Sequence, residues 1–115
     1  MATFSKLALS GSTNGKQIPV VATATAGTLI HTAQSGTAGL DEIWIYATNP
    51  TASGVLLTVE YGGALTADQI RVTIPSQAGL TVVVPGLVLN NAQVVRAFCG
   101  TASAINISGY VNRIT

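Results

Sequence analysis

Gln69-Ile70-Arg71-Val72-Thr73-Ile74-Pro75 alternates apolar and polar residues, with Ile70, Val72 and Ile74 on one side of an extended chain and Arg71 and Thr73 on the other. A period of two in β-branched residues, closed by a proline, predicts a half-buried strand. The same pattern recurs upstream. Val55-Leu56-Leu57-Thr58-Val59-Glu60-Tyr61 sets Val55, Leu57, Val59 and Tyr61 together, opposite Thr58 and Glu60, before a Gly62-Gly63 turn. In Asp41-Glu42-Ile43-Trp44-Ile45-Tyr46-Ala47, one face carries Ile43, Ile45 and Ala47 and the other carries Trp44 and Tyr46. Both faces of that strand are apolar, so it is expected to be covered twice, by its own core and by something else.

Working outward, strands are expected at Ile18 to Ala24, Thr28 to Thr32, Leu80 to Val84, Val94 to Cys99 and Ala104 to Val111, with turns at Ala26-Gly27, Pro85-Gly86 and Asn90-Asn91. Thr66-Ala67-Asp68-Gln69 is at most a single helical turn. Val, Ile and Thr runs punctuated every eight to twelve residues or so predict an all-β, antiparallel β-sandwich or jelly-roll-like barrel of about eight to ten short strands. No repeat, linker or charge block divides residues 1–115, so one domain is expected. Within it, residues 1–15 have two readings. Ala2 to Leu9 is either an arm that adds to a neighbour's sheet, tethered by Ser10-Gly11-Ser12-Thr13-Asn14-Gly15, or an ordinary first strand and loop.

The composition is notable for its shortage of charge: 8% of residues are charged, against about 25% in ordinary domains. Five basic residues, Lys6, Lys16, Arg71, Arg96 and Arg113, are scattered and make no stripe of the kind phosphate binding needs, which argues against nucleic acid. Polar residues interrupt every apolar run before it reaches membrane-spanning length, and the first residues have no export-signal run, so a protein made in the cytoplasm is expected.

The chemistry is thin. His31, between Ile30 and Thr32, is expected to be a packed or surface histidine rather than a base or ligand. Asp41 and Glu42 leave opposite faces of a strand, which precludes a paired-carboxylate site, and they are expected in a solvated loop entering the Ile43 strand. Glu60 and Asp68 have no spacing that demands contact. Cys99, the single cysteine, has no adjacent basic residue to activate it and reads as a small buried residue. No phosphate-cradling glycine pattern occurs in strand-to-helix context, Asn106-Ile107-Ser108 lies in an alternating strand, and no cofactor or metal is expected.

Ala2-Thr3-Phe4-Ser5-Lys6-Leu7, Gly11-Ser12-Thr13-Asn14-Gly15, Ile30-His31-Thr32-Ala33, Leu40-Asp41-Glu42-Ile43-Trp44, Glu60-Tyr61-Gly62-Gly63, Val72-Thr73-Ile74-Pro75, Val84-Pro85-Gly86-Leu87 and Gly109-Tyr110-Val111-Asn112-Arg113-Ile114 together resemble a family of small tailed-phage virion proteins. The resemblance implies a non-enzymatic head or capsid component: a decoration protein on the capsid surface, with the major capsid protein as partner. A symmetric homo-oligomer is expected, a trimer being favoured. Phe4, on the possible arm, and Trp44 and Tyr46, opposite the core face of their strand, are the candidate partner-facing residues. An alternative is a receptor- or glycan-binding module using Trp44 or Tyr61 as a platform. A small hydrolase is a distant third.

Overall fold

Ile43, Ile45 and Ala47 are fully buried, as are Leu57 and Val59, and these two sets face one another across the centre of the molecule. They belong to different sheets. The computed structural model describes residues 2–115 and contains nine strands among them: β1 (Phe4–Ala8), β2 (Ile18–Pro19), β3 (Thr28–Thr32), β4 (Leu40–Thr48), β5 (Val55–Tyr61), β6 (Gln69–Ile74), β7 (Thr81–Leu89), β8 (Val94–Cys99) and β9 (Asn106–Ile114). A single 3-10 turn, Thr66–Asp68, precedes β6.

All pairings are antiparallel. One sheet runs β1-β9-β4-β7, with β2 sharing the β1 side of β9; the other runs β3-β8-β5-β6. With the two-residue β2 set aside, successive strands trace the double-sheet jelly-roll path. The expected all-β sandwich and its strand number are therefore observed. Ile43, Ile45, Val84, Ile107 and Val111 of the first sheet pack on Ile30, Leu57, Val59, Ile74 and Val95 of the second. Burial of each such side chain stabilises the fold by roughly 1.5–3 kcal/mol relative to exposure. The seams are stitched by polar contacts. On one side the Gly11 N–H donates to the Ile30 carbonyl at 2.9 Å; on the other the Tyr61 hydroxyl donates to the Leu87 carbonyl at 2.9 Å.

Several sequence expectations need correction. The strand expected over Ile18 to Ala24 stops at Pro19, because the chain turns outward once Val20 is buried; Val21 is already exposed. Pro85-Gly86 is not a turn but lies inside β7, where Gly86 is the extra residue of a bulge between the Ile43–Leu87 and Trp44–Pro85 pairs. An edge strand tolerates a proline with no N–H to offer and a glycine at φ +86°. The last strand starts later and ends later than expected.

The N-terminal segment pairs with β9 of its own chain, from Phe4 opposite Ile114 to Ala8 opposite Tyr110. Residue 1 of the stretch 1–15 lies outside the described residues. Asp41 is not in a solvated loop: it lies in β4, pointing inward, and is fully buried. Glu60, which alternation sets opposite Leu57 and Val59, is buried as well, because residues 25–27 fold over the outside of the second sheet to meet it.

Candidate functional site

The register of the first sheet collects one set of side chains on its outer face. Alternation along β4 puts Glu42, Trp44 and Tyr46 outward; their partners on β9 are Asn112, Tyr110 and Ser108. On β1 the residues aligned with Ile114 and Asn112 are Phe4 and Lys6. The three candidate partner-facing residues, Phe4, Trp44 and Tyr46, therefore share one face. They do not touch it in the same way. Phe4 is 72% exposed, whereas Trp44 and Tyr46 are half-buried.

Trp44 is held by neighbours on both flanking strands and leaves part of its ring exposed. Its ring stacks on Tyr110 with centroids 6.0 Å apart and planes 13° from parallel, an arrangement that contributes about 0.5–1.5 kcal/mol beyond area alone. Its indole N–H donates to Glu42 Oε1 at 2.8 Å, and the Asn112 amide donates to the same oxygen at 3.0 Å. Those two bonds, the Trp44 one foremost, hold the Glu42 carboxyl below its ordinary pKa. From the far side Gly86 presses on the indole: a Cβ there would lie 3.0 Å from Cζ2. Lys6 completes the stack, its ammonium 4.7 Å from the centre of the Tyr110 ring. Phe4, Ser5, Lys6, Glu42, Asn112 and Ile114 line a shallow depression of about 460 Å3 at the β1 end of this face.

Beneath the same sheet sits a buried polar cluster that the sequence did not reveal. The Ser10 N–H donates to His31 Nδ1 at 3.0 Å, which places the ring proton on Nε2, and Nε2 donates to Asp41 Oδ2 at 2.8 Å. Arg113 grips the same carboxylate with Nε on Oδ1 at 2.8 Å and Nη2 on Oδ2 at 2.9 Å. Burial pushes the Asp41 carboxyl up, but the hydrogen bonds of Arg113 and His31 outweigh it and hold the group below its usual range. Although Ser10, His31 and Asp41 adjoin one another, they do not form a nucleophile arrangement. The backbone of Ser10, not its hydroxyl, reaches the imidazole, and Ser10 Oγ accepts the Thr32 N–H at 2.7 Å. With β3 on one sheet and β4 and β9 on the other, the cluster ties the two sheets together.

A second hollow, of about 330 Å3, lies outside the other sheet beside Glu60, Gln93 and Arg96. Its charged groups hold the chain itself. Glu60 accepts the Gly27 N–H at 2.8 Å and the Thr25 hydroxyl at 3.0 Å, and Arg96 donates to the Gly27 carbonyl at 3.3 Å. Asp68 is elsewhere, accepting the Leu65 N–H at 3.3 Å. Cys99 is buried, its thiol directed at the Thr101 carbonyl. Among the described residues, no three His, Cys, Asp or Glu side chains gather where they could hold a metal ion.

Tyr110, Lys6 and Asn112 belong to the outer face but were not singled out from the sequence; the alternation of Tyr110 and Asn112 in β9 was the only signal, and it does not name the strand alongside. No protein-family model matches this chain, and no curated protein matches it.

Proposed function

We propose that this chain is a non-enzymatic structural protein of a tailed-phage particle, a capsid decoration protein. In this reading it is made in the host bacterial cytoplasm and docks, as a symmetric oligomer, on the lattice of the major capsid protein through the outer face of the β1-β9-β4-β7 sheet. It stabilises the shell by bridging neighbouring capsid subunits.

The jelly-roll path serves capsid and lectin domains alike, so the choice rests on surfaces. The supporting observation is that Phe4, Trp44 and Tyr46 share one face, on which the charges of Lys6 and Glu42 balance. Asp41 and Glu60 are buried, which leaves seven charged side chains for a surface of 5886 Å2. Neutral faces can be covered by a partner without the penalty of desolvating charges. The alternative, a glycan- or receptor-binding module, is less well supported, because Trp44 is stacked on Tyr110 and the Tyr61 hydroxyl is engaged by Leu87.

The test is to mix the purified chain with capsids that lack it. Saturable binding and a raised temperature of shell rupture are expected, with Phe4→Ala weakening the binding. Absence of binding to such shells rules the reading out.

A further inference from the structure

The four sheet edges differ in how they are closed. On β7, Pro85 and two register shifts interrupt the edge. β6 is regular in its pairing with β5, comes near β7 across the seam, and is followed at once by Pro75. β3 carries a bulge between Leu29 and His31, and the chain just after β1 covers it: Gly11 donates to the Ile30 carbonyl and Ser10 Oγ accepts the Thr32 N–H. β1 has no proline, bulge or covering segment, and Lys6 is the one charge on it. It is regular from Phe4 to Ala8 in its pairing with β9, and Phe4, Ser5, Lys6 and Ala8 are all exposed, while Leu7 alone packs partly against the core.

Which backbone groups β1 offers follows from one pair. The Thr3 N–H donates to the Thr115 carbonyl and the Thr115 N–H to the Thr3 carbonyl, both at 2.9 Å. Thr3 and Thr115 are thus a hydrogen-bonded pair, and by alternation so are Ser5–Arg113 and Leu7–Val111. The N–H and C=O groups of Phe4, Lys6 and Ala8 therefore point away from β9, along the free edge. The side chains of the same three residues stand on the outer face of the sheet.

We propose that β1 pairs with β1 of a second copy of this chain, antiparallel and two-fold symmetric, centred on Ser5. Of the two-fold registers open to the outward-pointing groups, centring on Ser5 alone pairs all of Ala2, Phe4, Lys6 and Ala8, whereas centring on Phe4 or Leu7 leaves one end of the strand unpaired. Centring on Lys6 would place Lys6 opposite Lys6 of the partner copy, which is unfavourable for directly opposed like charges. Centring on Ser5 places Phe4 opposite Lys6 and Ala2 opposite Ala8, each pair exchanging N–H···O bonds in both directions. Each Lys6 then lies beside an exposed aromatic ring as well as its own Tyr110, and each Phe4 loses part of its contact with water. The same surface is presented by both copies, as a two-fold contact requires. The product is one sheet running through both copies, with their outer faces on the same side.

This contact does not depend on the capsid reading, and it is tested in the absence of capsids. Sedimentation of the full chain is expected to show a dimer, with the Phe4, Lys6 and Ala8 amides protected from hydrogen exchange in a concentration-dependent way. Lys6→Pro removes an outward N–H that β9 does not use, and it is expected to leave the fold intact while weakening the dimer by more than about tenfold. Ser5→Cys reads the register: non-hydrogen-bonded partners lie about 4.5 Å apart at Cα, inside the span of a disulfide, so oxidised glutathione should link two copies, while Phe4→Cys and Lys6→Cys should not. A single-chain species with freely exchanging outward amides overturns the proposal, as does an oligomer unaffected by Lys6→Pro, or linkage through Phe4→Cys or Lys6→Cys instead of Ser5→Cys.

Discussion

Asp41 carries more of the molecule than any other polar residue. Its carboxylate takes two bonds from Arg113, one from His31, and two from Gln34, whose backbone N–H donates at 3.2 Å and side-chain amide at 3.3 Å, at zero exposure. Asp41→Asn keeps the shape but leaves the guanidinium without its counter-charge. Because the Arg113 side chain is 29% exposed, it can turn partly to water, so a loss of about 2–4 kcal/mol in urea denaturation is expected rather than more. The pH dependence has a definite sign. A carboxyl lowered by folding contributes fully above its unfolded value, here 3.8, and that contribution is lost as pH falls through the lower folded value. Thermal melts of the native chain should weaken below about pH 4, and those of Asp41→Asn should show a shallower fall. A second pair of substitutions separates docking from folding. Phe4→Ala, at an exposed position, should change stability by less than about 0.5 kcal/mol, whereas Trp44→Ala, which removes the stack on Tyr110 and the contact with Gly86, should cost about 2 kcal/mol.

At the level of elements, Gly109, at φ +154°, leaves no room for a side chain between β9 and β4. A Cβ added there would run into the Trp44 carbonyl oxygen. Gly109→Ala must therefore push the two central strands of the sheet apart, and a loss of about 3 kcal/mol or failure to fold is expected, read from the denaturant midpoint or from near-UV circular dichroism. Nothing in the sequence distinguishes Gly109 from the glycines at turns, since the clash is with a strand more than sixty residues away. The alternation of β4, β5 and β6 was legible because each side chain of a strand reports its own face. The fate of Pro85-Gly86 was not, because whether that pair turns the chain or bulges an edge depends on there being no strand beyond β7.

For the whole molecule, the exposed area of 5886 Å2 is close to the roughly 5,900 Å2 expected of a compact chain of this mass. Compactness therefore does not relieve the shortage of surface charge; the burial of Asp41 and Glu60 deepens it. Shell binding through a face where Lys6 and Glu42 balance should respond weakly to salt, changing by less than about twofold between about 50 and about 500 mM salt, measured by co-pelleting with capsids.

What the sequence determined by itself is local and periodic: all-β, about eight to ten strands, a core-facing apolar side on each, Trp44 and Tyr46 opposite the core face of theirs, and very little charge. A strand's two-residue period and a turn's backbone demands act between neighbours, so they can be read along the chain. Only the tertiary structure decided that His31, Asp41 and Arg113 meet between the sheets, that Tyr110 lies beside Trp44, and that β1, among the described residues, is a regular edge left uncovered. Those facts depend on which strand lies beside which. Pairing partners across long loops are selected by the packing of the whole sandwich, not by any segment alone.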